Sequence, residues 1–499
     1  MDQEPKNIID VIIVGAGISG IGSAYHLQQE CPEKSYAILE MMDSFGGTWE
    51  LHKYPGIRSD SDLYTFGYNF KPWTRDPIAS AADILDYLGE VIEEHDIAKK
   101  IYYGHRIVSC RWSSDDNLWT VEATRRSDGE NVTFYTRFLW MCQGYYDHEN
   151  PYVPDWPAMD QYKGLFVHAQ LWNPATEYAG KRILVIGSGA TAATIIPAFA
   201  ETAGHVTMLQ RSPTYFIADR NKVDLADQLR EAGIDEPTIY RVVRAKIMFD
   251  RDKQVRRCLA EPDVMVEEWR AQIRRYAGED FQFEPHFAPK YRPWRQRPAF
   301  SPEGDLFKAA ADGRVTVMTD EVETFTERGV RTKSGDEIEA DIIVAATGFQ
   351  LLVMGGIPFF VDGKQIDWHE TITYRGMMHT GVPNLVWVFG YFRAPWTLRV
   401  HLVGEFVCRL LKHMDAMRAS RVEVALRNED VNMPVLPWIE DENFNPSYLV
   451  RGLERLPQRG DKPEWRHNQD YWKEKDEIPA IDLDGPEFVY GAFEPVESA

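Results

Sequence analysis

The chain has 499 residues, enough for several domains and a substantial core, and its 44% apolar and 26% charged content is that of an ordinary globular protein rather than a disordered or repetitive one. Fifty-five Lys and Arg against 77 Asp and Glu give a net charge of −22, which argues against nucleic acid as a partner. The five cysteines include no CxxC pair and point to a reducing, cytoplasmic compartment; no run of about 18 apolar residues suggests a transmembrane segment, and peripheral membrane contact stays open.

The first apolar run, Val11 to Val14, lacks the basic leader and small-residue cleavage site of a signal peptide and is predicted to be a buried strand. It leads into Gly15-Ala-Gly17-Ile-Ser19-Gly20 and a helix over residues 21–29. Gly15 allows the tight turn, Gly17 lets the backbone approach a pyrophosphate, and Gly20 lets the helix pack on the strand; the free N–H groups around Ser19 then hold the anion. A second strand over residues 36–40 ends in Glu40, twenty positions past Gly20, where a carboxylate accepts hydrogen bonds from both ribose hydroxyls. That selects a dinucleotide with a free 2′-hydroxyl, FAD or NAD.

An apolar run at 138–142 closes on Gly144, and the proline-rich stretch Glu149 to Pro157 marks a domain boundary near 152. The strand–glycine–helix pattern then recurs as Arg182 to Ile186 followed by Gly187-Ser188-Gly189-Ala190-Thr191-Ala192, a helix through Ala200 and a strand over 206–210. The strand-end position held by Glu40 in the first unit is Gln210 here, followed by Arg211 and Ser212. A guanidinium and a hydroxyl suit a 2′-phosphate that a carboxylate would repel, so the second site reads as one for NADP. Residues of about 216–290 are rich in mixed charge with apolar positions at helical spacing (Ile239, Val242, Val243, Ile247), which predicts a helical insertion acting as a solvated cover over a cleft. A last strand, Asp341 to Ala346, ends in the small-residue turn Thr347-Gly348 and is expected to return the chain to the first domain.

The predicted fold is α/β, with two Rossmann-like dinucleotide-binding domains. The FAD domain comprises residues 1–152 and 336–499, the latter with a C-terminal segment, and the NADPH domain, 153–335, is inserted in it. A flavin facing NADPH serves hydride transfer. No cysteine pair is available for a disulfide reductase, which leaves dioxygen or an external acceptor; no metal ion is expected.

The segment Tyr162-Lys-Gly164-Leu-Phe-Val-His168-Ala-Gln-Leu-Trp172 resembles the fingerprint of the Baeyer–Villiger monooxygenases, class B flavoprotein monooxygenases, with Tyr162 in place of Phe and Asn173 in place of Pro or Asp. Gly46-Gly47-Thr48-Trp49 and Tyr54-Pro-Gly-Ile-Arg58-Ser59-Asp60-Ser-Asp62 resemble that family's flavin-contacting segments, Ile107 its backbone contact to adenine, and Ala346-Thr347-Gly348 its late turn. Within the family the chain is most similar to the mycobacterial-type members that activate thioamide prodrugs. The resemblance implies FAD and NADPH as cofactors. It implies a monooxygenase that uses O2 to convert ketones, linear aliphatic or aryl-alkyl ones among them, to esters or lactones through a flavin peroxide, and that also oxidises sulfides. It places the required cation at Arg297, in Tyr291-Arg-Pro-Trp-Arg295-Gln296-Arg297-Pro298, with Asp60 orienting it as the second catalytic residue. Gln296 stands where the family has a lysine, which leaves Arg211 to carry more of the 2′-phosphate. His168 and Trp172 are expected in a linker, coupling the domains or simply buried, and Trp396 to line a pocket or pack. The alternative is an N- or S-oxygenating flavin-containing monooxygenase that makes no chemical use of Arg297.

Overall fold

Runs of apolar, β-branched residues alternate with helical stretches along much of this chain, the pattern that builds parallel sheets covered on both faces. The computed structural model describes residues 6–439 and 444–492. It opens with β1 (Ile8–Val14), α1 (Ile18–Glu30) and β2 (Tyr36–Leu39). Short helices α2 (Thr48–Leu51) and α3 (Leu63–Phe66) lead to α4 (Ala81–Glu94), whose first turn is closed by a capping box between Ser80 and Asp83. Strands β3 (Ile101–Tyr102), β4 (His105–Ser113), β5 (Leu118–Arg125) and β6 (Asn131–Met141) follow. β1 lies between β2 and β6, parallel to both, and Val11, Ile12 and Ile13 are fully buried, as a strand covered on both faces requires.

The chain then crosses to β7 (Leu165–His168), β8 (Arg182–Ile186), α5 (Ala190–Phe199) and β9 (His205–Gln210). Next come β10 (Phe216–Asp219), the helices α6 (Asp224–Glu231), α7 (Glu236–Ala260) and α8 (Pro262–Ala277), then β11 (Ala299–Pro302), α9 (Asp305–Ala311) and β12 (Val315–Thr319). A small meander of β13 (Val322–Thr326), β14 (Gly329–Thr332) and β15 (Glu337–Glu339) precedes β16 (Ile342–Ala345). The second sheet runs β12-β9-β8-β16-β7, parallel throughout. Beyond it, β17 (Phe359–Val361) and β18 (Lys364–Gln365) extend the first sheet beside β4, and the strand Leu385–Trp387 pairs with β6, making nine strands among the described residues. Helix α10 (Trp396–Met417) packs along α1, and α11 (Ser447–Gly452) belongs to the C-terminal segment.

Two expectations change. β16 does not return the chain to the first sheet: all four of its residues are buried between β8 and β7, so the second domain extends through Ala345 rather than ending at 335, and the return follows Ala346. A buried apolar run does not encode which sheet it joins. His168 does not lie in a linker but ends β7, an edge strand whose exposed Leu165 obscures its apolar pattern.

The helical insertion is more than a solvated cover. Ala226, Ile239, Tyr240 and Val243 share an apolar core with α1 and α4 of the first domain, while Val242 faces solvent. α7 also grips α3 through the backbone: Tyr240 donates to the Tyr68 carbonyl at 2.6 Å, and Arg244 to the carbonyls of Tyr64, Thr65 and Gly67 at 2.7, 3.2 and 3.0 Å.

Candidate active site

Both glycine turns open on one cavity of about 1410 Å³ between the domains, larger than the roughly 300–1,000 Å³ of a site for one small ligand. Neither α1, which starts after Gly17, nor α5, which starts after Gly189, has a side chain capping its first turn, in contrast to α4. Their N–H groups and the positive ends of both helix dipoles are therefore available to anions in the cavity. Gly15 has φ of +99°, and a β-carbon on Gly20 would lie 1.8 Å from the Gly15 carbonyl oxygen, so the first turn admits no side chain at either position. Gly20 and Ala192 sit behind the cavity as packing positions, whereas Gly15, Gly17, Ser19, Gly187, Ser188, Gly189, Ala190 and Thr191 line it.

Glu40 follows β2 and is buried, accepting hydrogen bonds from the N–H groups of Ala16 at 2.7 Å and Met42 at 2.8 Å. Burial raises its pKa, and those backbone hydrogen bonds oppose the rise. Gly47, Thr48 and Trp49 at the start of α2, together with Ser59 and Ile107, complete the wall on this side. On the other, Arg211 and Ser212 follow β9, exposed at the cavity rim, and the Ser188 hydroxyl donates to the Ser212 carbonyl at 3.1 Å.

Arg297 precedes β11 in the second domain and reaches back to the first. Its Nε lies 3.2 Å from Asp60 Oδ2, and its Nη2 donates to Ser61 Oγ at 2.6 Å. Asp62, two residues on, caps α3 by accepting from the Thr65 N–H at 2.8 Å, and Arg251 of α7 approaches it at 3.4 Å. Arg58 also lines the cavity, but its guanidinium pairs with Asp305 of α9 at 2.7 Å and donates to the Ala193 carbonyl of α5 at 3.4 Å, so its charge ties the two domains together.

Sequence reasoning missed an aromatic wall beside this pair. Tyr145, Tyr146 and Tyr448 line the cavity, with Tyr145 donating to the Tyr146 hydroxyl at 3.0 Å. Burial pushes the pKa of all three upward, so they stay protonated donors. Trp396 also lines the cavity; it stacks on Tyr145 with ring centroids 5.2 Å apart and donates from Nε1 to Ser19 Oγ at 2.7 Å. The position of Tyr145 and Tyr146 just after the Gly144 turn was an available signal, since ligands gather at the carboxyl ends of parallel strands. Tyr448 carried none.

His168 is buried, its Nδ1 accepting from the Gln170 N–H at 3.1 Å. Trp172 packs inside the second domain on Phe199 at 5.2 Å. Among the described residues no group of His, Cys, Asp and Glu is arranged to hold a metal ion.

A family described as flavin-binding monooxygenase-like matches residues 76–382, and one described as NAD(P)-binding Rossmann-like domain matches residues 13–76. The chain is 43% identical over 468 residues to the FAD-containing monooxygenase EthA of Mycobacterium tuberculosis, covering 93% of this chain and 94% of that one. It is 38% identical over 486 residues to the probable FAD-binding monooxygenase AlmA of Acinetobacter sp, covering 94% of each. Among solved structures, oxidised steroid monooxygenase bound to NADP superposes with a TM-score of 0.76 at 21% identity, covering 98% of this chain and 100% of that one. Cyclohexanone monooxygenase bound to ε-caprolactone gives 0.74 at 20% identity over 97% and 100%. At that identity the structural likeness establishes the shared fold.

Proposed function

Since the chain belongs to the flavin-binding monooxygenase-like family, we propose that it uses FAD, NADPH and O2 to convert ketones to esters or lactones, and that it oxygenates sulfides as well. Membership itself makes it a flavoprotein monooxygenase, an oxidoreductase. The observation that carries the finer assignment is the Arg297–Asp60 pair, held in the same cavity as both glycine turns.

The donor sets fit the two dinucleotides. The uncapped start of α1 suits the FAD pyrophosphate and buried Glu40 its ribose hydroxyls; the uncapped start of α5 suits the NADPH pyrophosphate, with Arg211 and Ser212 at the 2′-phosphate. NADPH supplies two electrons and the bound flavin activates dioxygen. Inserting one oxygen beside a carbonyl develops negative charge on the substrate oxygen, and a guanidinium keeps its positive charge throughout the working pH range. Asp60 and Ser61 hold Arg297 in place, so its charge is oriented before the substrate arrives. Tyr145, Tyr146, Phe349 and Trp396 form a largely apolar wall that excludes water, with the tyrosine hydroxyls as donors to a bound carbonyl. The neighbour of the same fold bound to ε-caprolactone supports this reading, because that lactone is cyclohexanone with one oxygen inserted. Linear aliphatic and aryl-alkyl ketones are the proposed substrate class, and the reducing cytoplasm is the proposed site of action, in keeping with five free, buried cysteines. No helix among the described residues is long and apolar enough to cross a membrane.

The test supplies the FAD-loaded protein with NADPH, 18O2 and phenylacetone. The expected product is an ester carrying one labelled oxygen, with one NADPH consumed and one water formed per turnover. Arg297→Ala is expected to lose the ester while keeping NADPH-driven flavin reduction and sulfide oxygenation. If the unmodified protein gives no ester but oxygenates sulfides or amines, the N- or S-oxygenating alternative replaces this reading.

A further inference from the structure

A ribose 2′-phosphate carries about −1.5 to −2 charges near neutral pH, and at the end of β9 a single guanidinium, Arg211, faces the position proposed for it. Gln296, which also lines the cavity, is uncharged. A second cation comes from a distant part of the chain. Arg451 of α11 lines the same cavity, its guanidinium 3.5 Å from the centre of the Tyr152 ring, with Nη2 donating to the Phe349 carbonyl at 3.2 Å.

That platform is fixed at both segments where the chain passes between the domains, because the Thr347 hydroxyl donates to the Tyr152 carbonyl at 2.6 Å. The Tyr152 ring under the guanidinium and the Phe349 carbonyl beside it hold the group and leave its other N–H donors for an anion, and arginine binds phosphate through two such hydrogen bonds. Among the described residues neither Arg451 nor Arg211 has a carboxylate within ion-pair distance. Both guanidinium groups line the same cavity, and burial lowers the pKa of Arg451, with Tyr152 opposing and the like charge of Arg211 adding to the fall. Two guanidinium groups facing one cavity, each without an ion-pair partner among the described residues, are an arrangement that an anion between them would stabilise.

We propose that Arg451 is the second cation of the 2′-phosphate subsite, gripping that group from the C-terminal segment while Arg211 grips it from the second domain. The proposal rests on the reading of NADPH as the electron donor. It makes the phosphate a strap across the domains, since its two arginines belong to opposite sides of the cavity.

The test measures binding to the FAD-loaded protein by titration calorimetry with NADP+, NAD+, 2′-AMP and 5′-AMP. Arg451→Gln is expected to weaken NADP+ and 2′-AMP about tenfold while NAD+ and 5′-AMP shift by less than about twofold. Arg451→Lys, which keeps the charge but not the planar fork, is expected to recover part of the loss. Equal weakening of NADP+ and NAD+, or no weakening of either, overturns the proposal. Arg211→Gln separates the two levels: if it abolishes the preference for NADP+ and Arg451→Gln does not, the NADPH reading stands and Arg451 lies outside the subsite. If the unmodified protein binds NAD+ as well as NADP+, the NADPH reading fails and this proposal with it.

Discussion

A guanidinium stabilises developing charge only if it is held where that charge appears, and Arg297 is held by an ion pair to Asp60 and a hydrogen bond to Ser61. Replacing it with Met is expected to lower kcat for ester formation by about 10²–10³, the usual loss when one preorganised donor to an oxyanion is removed; gas chromatography of the ester checks this. Asp60→Asn keeps an acceptor near Arg297 Nε but not the charge, and should cost about tenfold in kcat, the effect of roughly 1.4 kcal/mol, with little change in ketone KM. Gly20→Ala would press a β-carbon onto the Gly15 carbonyl and displace the start of α1, so the purified variant is expected to lack flavin, read as the ratio of absorbance at about 450 nm to that at 280 nm. Gly15, Gly20, Glu40 and Arg211 could be read from the chain because each occupies a numbered place in a local strand–turn–helix unit. Tyr448 and Arg451 could not: they reach the cavity from a C-terminal segment about 300 residues from Tyr146 and Tyr152, and no periodicity spans such a distance.

Elements divide along the same line. The strands and helices flanking both glycine turns follow from apolar runs and free helix starts, whereas partnership between strands does not. β16 reads in sequence like β1 or β6, yet it is buried between β8 and β7 because that gap in the second sheet accepts a strand apolar on both faces. Helix α7 shows the same limit, since its mixed charge suggests a free surface, yet it buries Ile239, Tyr240 and Val243 and its Arg244 closes three backbone acceptors. Arg244→Met is expected to destabilise the protein by about 2 kcal/mol, because the carbonyls of Tyr64, Thr65 and Gly67 lose their shared donor. A shift in the urea midpoint with unchanged slope would check it. A shift within error would mean water replaces the guanidinium without cost.

Across the whole molecule, buried histidines link stability to pH. Burial, with His148 and His168 nearby, lowers the pKa of His52 to about 4, and burial lowers that of His168 to about 4, against an ordinary value of 6.5. Between those limits the unfolded chain binds protons that the folded one does not, so stability present above pH 6.5 is lost as the pH falls toward 4. His52 belongs to the first domain and His168 ends a strand of the second, so the loss is expected to loosen the contact between them. Thermal unfolding is expected to have a lower midpoint at pH 5 than at pH 7.5, with a smaller difference in His52→Gln; an equal difference would exclude His52 as a contributor.

The hold of α7 on α3 bears on how such a protein can diverge. Arg244 and Tyr240 address carbonyl oxygens, which every residue supplies, rather than particular side chains. That seat on α3 is therefore indifferent to the side chains of its partner segment, unlike the Arg58–Asp305 and Arg297–Asp60 pairs and the apolar core shared with α1 and α4, which join the same two domains. Evolution, or a designer exchanging residues 153–345 between homologues, thus inherits the α3 seat with the backbone and has to preserve only those ion pairs and that core.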